Sequence, residues 1–329
     1  MQRIRIGIVG YGNLGKSAEL GVRQNEDMEL VGVFTRRDPS SVKLLTQGIP
    51  VYGMEDAAKM TEQIDVMLLC GGSRTDLPVQ GPEFAAMFNT VDGFDTHAKI
   101  PEYYEAIDKA CREANKVSVI SSGWDPGMFS LNRLLGSAIL PVGNDYTFWG
   151  KGISQGHSDA IRRIPGVKDA KQYTIPIEAA IEAVRNGENP VFTTREKHCR
   201  ECFVVVEEGA NKEVIENKIK TMPDYFADYD TEVHFVTEEE LAAKHNGLPH
   251  AGMVIRSGRT GADNEHMHAI EYKLTLGSNP DFTANILLAY ARAVYRLNKE
   301  GVSGAKTVFD IAPAYLSIQS NEELRKHLL

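Results

Sequence analysis

Ile4-Arg5-Ile6-Gly7-Ile8-Val9-Gly10-Tyr11-Gly12-Asn13-Leu14-Gly15 decides the fold. A short, mostly apolar run feeds three glycines spaced G-x-G-x-x-G, and residues 14–24 continue as an amphipathic helix. In a strand–turn–helix unit each glycine has a task. The first makes the tight turn, the second lets backbone approach a pyrophosphate, and the third packs helix on strand. The helix N-terminus adds unpaired N–H groups and the positive end of its dipole. Gly10, Tyr11, Gly12, Asn13, Leu14 and Gly15 are therefore candidate dinucleotide contacts. The surrounding strand and helix carry that reading; the spacing alone would be an ordinary glycine-rich turn.

Working outward, apolar runs at 30–34, 66–70, 90–92 and 117–121 alternate with helical stretches at 55–60, 79–88 and 100–115. Continuous apolar strands separated by helices imply a parallel sheet covered on both faces, because right-handed crossovers put helices there. The expectation is an α/β, doubly wound, Rossmann-type domain over residues 1–125. Beyond 126 the texture changes. Ile270, Tyr272, Leu274 and Leu276 share one face of a strand, with Glu271, Lys273 and Thr275 on the other. Period two with one polar face marks a sheet solvated on one side. Residues 198–207 and 231–236 also read as strands, each followed by a helix. An α+β second domain is expected over 126–279. The last segment, 280–329, opens with an amphipathic helix at 282–299 and is a candidate to return to the first domain.

The chain has 329 residues, enough for two domains, with 42% apolar and 25% charged residues as in ordinary globular proteins. Lys and Arg number 36 against 45 Asp and Glu, a net charge of −9. That balance disfavours nucleic-acid and membrane-surface roles, which need clustered basic surface. A membrane span needs roughly 20 apolar residues; the best run, 286–295, is interrupted by Arg292. No secretory leader is read, since the first residues pass straight into the strand that the fingerprint needs. Cys70, Cys111, Cys199 and Cys202 are too few for a disulfide scaffold, so reduced thiols in a cytoplasm are expected. No metal is expected either. Cys199 and Cys202 lie three apart on a strand and face opposite sides, without a second pair, and His266 with His268 lacks a third ligand. Glu238, Glu239 and Glu240 suit a helix N-terminus.

About 20 residues past the fingerprint an NAD site carries Asp or Glu on the ribose 2′-hydroxyl. Here stand Thr35, Arg36 and Arg37. Two guanidiniums and a hydroxyl suit a 2′-phosphate, which an acidic residue would repel. NADP(H) is the cofactor expected. Ligands of open α/β sheets bind beyond the C-terminal strand ends. Cys70-Gly71-Gly72-Ser73, Asp92-Gly93-Phe94-Asp95 and Ser121-Ser122-Gly123-Trp124-Asp125-Pro126-Gly127 occupy three such ends. Asp95 and Asp125 thus point toward the place of the nicotinamide.

Longer motifs add a resemblance. Ser122-Gly-Trp-Asp-Pro-Gly-Met-Phe-Ser-Leu-Asn-Arg133, Phe148-Trp149-Gly150, Ser154-Gln-Gly-His-Ser-Asp159, Thr221-Met-Pro-Asp-Tyr-Phe226, Pro249-His250 and Ser278-Asn279-Pro280 resemble the meso-diaminopimelate dehydrogenase family nearly end to end. The resemblance implies an NADP-dependent homodimer that reversibly deaminates the D-configured centre of meso-2,6-diaminopimelate, with 126–279 as its substrate-binding and dimerisation domain. Its products would be ammonia and L-2-amino-6-oxopimelate, which cyclises to tetrahydrodipicolinate on a route to lysine and the cell-wall diamino acid. It implies cofactor contacts from Tyr11–Leu14, Thr35, Arg36, Arg37, Cys70, Gly71, Gly72, Ser73, Gly93, Phe94, Asp95, Ser122, Gly123, Trp124, Asp125 and Pro126. It implies substrate contacts from Asp95, Asp125, Trp149, Gln155, Gly156, Thr174, Arg200, His250 and Asn279. The neighbours of Arg200 in His198-Cys199-Arg200-Glu201-Cys202 and the length of 262–268 depart from the family pattern.

The chemistry accounts for these residue types. Hydride leaves a carbon only after its ammonium has lost a proton, and a carboxylate at hydrogen-bond distance can hold and help deprotonate that ammonium. Asp95 and Asp125 fit as the catalytic pair, and sequence does not choose which is the base. Arg200 suits a bidentate grip on the distal carboxylate, with His250 and Thr174 adding hydrogen bonds. Two rival readings stand beside this one. A sugar dehydrogenase of the glucose–fructose oxidoreductase type would carry Glu-Lys-Pro after the fifth strand, where Ala98-Lys99-Ile100-Pro101 stands here. A non-catalytic NADPH sensor would have no need of both aspartates.

Overall fold

The computed structural model describes residues 3–329 and divides into two compact units, the chain up to Leu131 together with Pro280–Leu329, and Asn132–Asn279. The first begins with β1 (Ile4–Val9), α1 (Asn13–Gln24), β2 (Met28–Thr35) and β3 (Val51–Gly53). It continues through β4 (Val66–Leu69), α2 (Leu77–Ala85), β5 (Asn89–Asp92), α3 (Ile100–Ala114), β6 (Val117–Val119) and the start of α4 (Met128–Ile139). The second unit holds β7 (Gly143–Trp149), β8 (Gly152–Ile153), α5 (Gln155–Arg162), β9 (Val167–Pro176), α6 (Glu178–Arg185), α7 (Thr194–Lys197) and β10 (His198–Val206). It ends with α8 (Lys212–Lys220), β11 (Asp230–Phe235), α9 (Glu238–Lys244), β12 (His250–Thr260) and β13 (His266–Leu276). The chain then re-enters the first unit through α10 (Asn279–Lys299), β14 (Gly304–Lys306) and α11 (Asn321–Leu328).

Among the described residues the first unit's sheet has seven strands in the order β14-β6-β5-β4-β1-β2-β3, all parallel. Its strands are apolar on both faces because both are covered. Leu68 enters one core with Ile6, Ile8, Val22 of α1 and Leu287, Leu288 and Val294 of α10. Met67 and Leu69 enter the other, with Phe84 of α2 and Tyr103, Ile107 and Cys111 of α3. Each such large apolar side chain, fully buried, contributes about 1.5–3 kcal/mol. Helix α10 is thus a core helix of the first unit. Arg292, which interrupts its apolar run, is satisfied by Asp27 at 2.6 Å and by the Leu316 carbonyl at 2.8 Å. Among the described residues no helix is long and apolar enough to cross a membrane.

The second unit contains a four-stranded sheet, β11-β10-β9-β8, and a three-stranded antiparallel sheet, β13-β12-β7. The four-stranded sheet is mixed: β10 runs antiparallel to β9 and parallel to β11. Along β13 the alternation holds, with Leu274 and Leu276 buried and Glu271, Lys273 and Thr275 exposed or half-exposed. The stretch 55–60, expected as a helix, is a 3₁₀ turn over Met54–Met60, with Glu55 and Asp56 in its first turn. Several strands have no counterpart in the sequence reading. β3, β8 and β14 are two or three residues long, too short to show a period. The apolar pattern of β12 is interrupted by Gly252 and Gly258 although the strand is continuous, and β7 and β9 alternate irregularly between buried and exposed positions.

Candidate functional site

In the first unit the chain goes from β1 out to β2 and β3, then returns to β4 on the other side of β1. That reversal opens a crevice at the C-terminal ends of β1 and β4. Gly10 takes φ +90 there, and a Cβ on it would stand 3.3 Å from the Cys70 carbonyl carbon. A Cβ on Gly15 would stand 2.1 Å from the Gly10 carbonyl oxygen, whereas one on Gly12 would meet nothing within 4 Å. The turn is closed from inside and open outside. No side chain caps α1, so its first amides are left for an anion. This is the cradle a diphosphate needs.

At the end of β2, Thr35 is buried and its Oγ1 accepts the Arg37 main-chain N–H at 3.1 Å. Arg37 Nη2 donates to the Tyr11 carbonyl at 2.9 Å, and Arg36 Nη2 lies 2.9 Å from Asp76 Oδ1. Asp76 in turn accepts the Gly72 N–H at 2.8 Å, and a Cβ on Gly71 would meet Asp76 Cβ at 2.8 Å. Both arginines are thus linked to the cofactor loops, with no acidic residue in the ribose position. The donor set fits a nicotinamide dinucleotide bearing a 2′-phosphate. Cys70 is buried, and burial pushes its thiol up to about 12, so it acts as backbone and packing.

Asp92, the last residue of β5, organises the next two loops. Its Oδ1 accepts N–H groups from Phe94 at 2.9 Å and Ser121 at 3.2 Å, and its Oδ2 accepts the Tyr103 hydroxyl at 2.8 Å. The Asp92 carbonyl also accepts the Ser122 hydroxyl at 2.9 Å and the Ser122 N–H at 3.0 Å. One buried residue therefore fixes the loop that carries Asp95 and the loop that carries Asp125. Burial pushes the Asp92 carboxyl up to about 6. Asp95 is exposed and donates its N–H to Ser73 Oγ at 2.8 Å. Phe94 is core, stacked 4.1 Å from Tyr103, so only its backbone can face a ligand. Gly93 has open space where a Cβ would be. Trp124 packs edge-on against Phe129 at 5.3 Å, and the Asp125–Pro126 peptide is cis. Gly123 and Gly127 bridge, which closes this loop on itself.

In the second unit the register lines up Gly152, Thr174, Arg200 and Thr231 across four strands. Arg200 is 6% exposed; its Nη1 donates to Thr174 Oγ1 and its guanidinium carbon sits 3.8 Å over the Tyr229 ring. Its Nε is buried without a hydrogen-bond partner, and among the described residues it forms no ion pair. Burial lowers its pKa. A buried cation left without an anion is costly, and here it is built in beside a hydroxyl. Two residues earlier on the same strand face, His198 Nε2 accepts the Trp149 N–H at 2.9 Å and stacks on its indole at 5.5 Å. Gln155 and Gly156 open α5, capped by Ser154, whose own N–H bonds to the Gln172 carbonyl at 3.0 Å. His250 opens β12; its Nδ1 accepts the Ala251 N–H at 2.9 Å and burial lowers its pKa. A Cβ on Gly152 would meet the His250 ring at 2.7 Å, so glycine makes room for the imidazole. Asn279 donates its N–H to the Leu248 carbonyl at 3.0 Å, which puts it beside the His250 end of β12.

Sequence reasoning missed Asp76, Asp92, Tyr103, His198 and Tyr229. His198 could have been found, since it shares the strand face of Arg200. Tyr229 could not, because it reaches Arg200 from beyond the end of β10, across a helix and a loop. The Cys199-x-x-Cys202 pair is split as expected: Cys202 is fully buried in an apolar core, where its thiol is pushed up to about 12, and Cys199 is half-buried.

Comparison with known proteins places this geometry. Residues 123–278 match the family described as diaminopimelic acid dehydrogenase C-terminal domain. The chain is 73% identical over its full length to meso-diaminopimelate D-dehydrogenase of Acetivibrio thermocellus, covering 98% of that protein. Among solved structures, the Corynebacterium glutamicum DAP dehydrogenase in complex with DAP has a TM-score of 0.89 at 46% identity, with full coverage of both chains. An engineered D-amino acid dehydrogenase bound to NADP+ has a TM-score of 0.84 at 44% identity, also over 100% of each chain.

Proposed function

The chain belongs to the meso-diaminopimelate D-dehydrogenase family, and from that premise we propose how its residues divide the work of the reaction. The protein is an NADP-dependent amino-acid dehydrogenase. It catalyses the reversible oxidative deamination of meso-2,6-diaminopimelate at its D centre, giving L-2-amino-6-oxopimelate and ammonia, a step of lysine biosynthesis.

Arg200 takes a substrate carboxylate. The observation that carries this assignment is its buried guanidinium, with Nε unpartnered and no ion pair among the described residues. Thr174, held by Arg200, and His250 add hydrogen bonds to the same end of the substrate, and Trp149, Gln155, Gly156 and Asn279 complete that set. Asp95 and Asp125 take the amine that is oxidised. One carboxylate removes the ammonium proton, so that the nitrogen lone pair can form the iminium as hydride departs; the other, still ionised, takes a proton from the attacking water and returns it to the nitrogen as ammonia leaves. NADP+, when bound, accepts the hydride. Arg36, Arg37 and Thr35 hold its 2′-phosphate, and Gly10–Gly15 with the N-terminus of α1 hold its diphosphate.

A substrate panel tests the reading. NADP+ reduction is followed by the absorbance of reduced nicotinamide, with meso-diaminopimelate, simple D-amino acids and aldoses. Turnover of the diamino diacid, well above that of the others, is expected. An enzyme inert toward it, or one faster on sugars, would remove the assignment.

The unit Asn132–Asn279 exposes Leu134, Leu135 and Ile139 on α4 and Val142 just past its end. Such a stripe supports a homodimer in which a second copy covers it. Light scattering on the purified protein measures this directly. Cys70, Cys111, Cys199 and Cys202 are all free, which supports a reducing, cytoplasmic setting.

A further inference from the structure

Glu19 lies on α1 and is fully buried, yet it forms no ion pair among the described residues. Its Oε2 accepts the Tyr11 hydroxyl and the Leu45 N–H, the latter at 3.2 Å, and its Oε1 accepts the Thr46 N–H. A buried carboxyl without a cation is expensive, and fold stability alone would be served as well by an apolar residue of similar volume. Its partners show what the expense secures. Tyr11 is the residue between the first two glycines of the fingerprint. Its carbonyl accepts Arg37 Nη2 at 2.9 Å, while its hydroxyl oxygen accepts the Leu45 N–H at 3.3 Å. The loop from 37 to 45 is therefore fastened at both ends to one residue. Val42 and Leu44 pack the middle of that loop on the same core as Tyr11. The start of the loop carries Arg36 and Arg37.

We propose that Glu19 is a positioning residue for cofactor choice: by locking Tyr11 and residues 45–46 it holds the 37–45 loop so that Arg36 and Arg37 meet a 2′-phosphate. This rests on the reading of those two arginines as 2′-phosphate ligands. Glu19 itself contacts the loop and Tyr11 rather than the cofactor. Its effect is accordingly confined to the part of the affinity that depends on the extra phosphate. Burial and the Glu19 carboxyl push the Tyr11 phenol up to about 12, so it stays a donor across the working pH range.

The test is a binding measurement on purified Glu19→Gln and Tyr11→Phe proteins, with the Arg36→Ala/Arg37→Ala double variant and thermal unfolding in parallel. Kd values for NADPH and NADH are read from nicotinamide fluorescence, without turnover. Glutamine keeps the volume but presents an N–H₂ group to a donor, so Glu19→Gln is expected to raise Kd for NADPH about tenfold and that for NADH less than about twofold. Tyr11→Phe removes only the hydroxyl and should show a smaller shift of the same kind, about threefold; it decides the matter if Glu19→Gln fails to fold. A purely structural Glu19 would lower Tm and weaken both cofactors alike, and that result overturns the proposal, as does an unchanged pair of Kd values. If the double variant keeps wild-type discrimination, the arginine reading fails and takes this inference with it. If the double variant loses discrimination while both other variants keep it, the Glu19 inference alone is wrong.

Discussion

His198 accepts the main-chain N–H of Trp149 through Nε2 at 2.9 Å, and that bond exists only while the imidazole is neutral. The surroundings enforce neutrality. Burial, then Lys197 and Arg200, lower the His198 pKa to about 4. His157 is lowered to about 4 by burial and by Arg200. Two histidines of the second unit are thereby kept uncharged next to a guanidinium.

The same shifts give a pH dependence of stability. Between pH 6.5 and about 4 the unfolded chain protonates both histidines and the folded chain does not, so acidification favours unfolding. Asp92 works in the opposite sense, because its folded pKa of about 6 makes acid stabilising down to the ordinary carboxylate value of 3.8. Each fully buried group is worth up to about 3 kcal/mol across its window, somewhat less for the partly exposed His157. His250 and His245, whose pKa values burial also lowers, add losses of the same sign, so the losses exceed the one gain. Tm should fall as pH is lowered from 6.5 to 4, and His198→Phe should flatten that slope while costing stability at pH 7. A wild-type Tm that rises over this range would contradict the assignment of neutral buried histidines.

Asp125→Asn keeps the shape of its loop and removes one of the two carboxylates proposed to handle the amine proton. We expect kcat to fall by about 10²–10⁴, with the Kd for NADPH near its original value. Asp92→Ala reaches the same centre from behind. It deletes the acceptor for the Phe94 and Ser121 amides and loosens loops that carry expected cofactor contacts, so kcat should drop and the KM for NADP+ should rise with it. Asp92→Asn retains an acceptor oxygen for both amides and should recover most of the rate. If Asp125→Asn turns over at near wild-type speed, proton handling belongs to another group.

Much of this organisation could be read from residue order, and the limits were physical. The fingerprint, the strand ends and the parallel sheet were legible because few folds other than a doubly wound one combine that glycine spacing with strands apolar on both faces. Strands β3 and β14 left no trace because three residues cannot show a period. Asp92 looked like any strand-end aspartate; its role depends on amides two and 29 residues downstream, which only the β5–β6 pairing brings to it. The region 55–60 has a helical pattern, but its short turn closes in the tighter 3₁₀ form. In the second unit, Arg200 and Thr174 were named through the family resemblance alone. Their pairing across β9 and β10 is what makes them one site.

Arg200 gives the sharpest separation of function from stability. Its guanidinium is buried, unpaired with any carboxylate among the described residues, and stacked on Tyr229. Replacing a buried, uncompensated charge by an apolar side chain of similar length removes a desolvation cost. Arg200→Met should therefore leave Tm unchanged or raise it. With Arg200 as the proposed carboxylate clamp, the same change removes the charge-assisted bonds to the substrate, so the KM for meso-diaminopimelate should rise by the equivalent of about 1.5–3 kcal/mol, roughly ten- to a hundredfold. Tyr229→Leu removes the platform and leaves the charge, so it should raise KM by less and lower Tm. Simple D-amino acids lack the distal carboxylate and should be used by Arg200→Met no worse than by the wild type. A KM for the diamino diacid that is unmoved in Arg200→Met would mean that its carboxylate is held elsewhere.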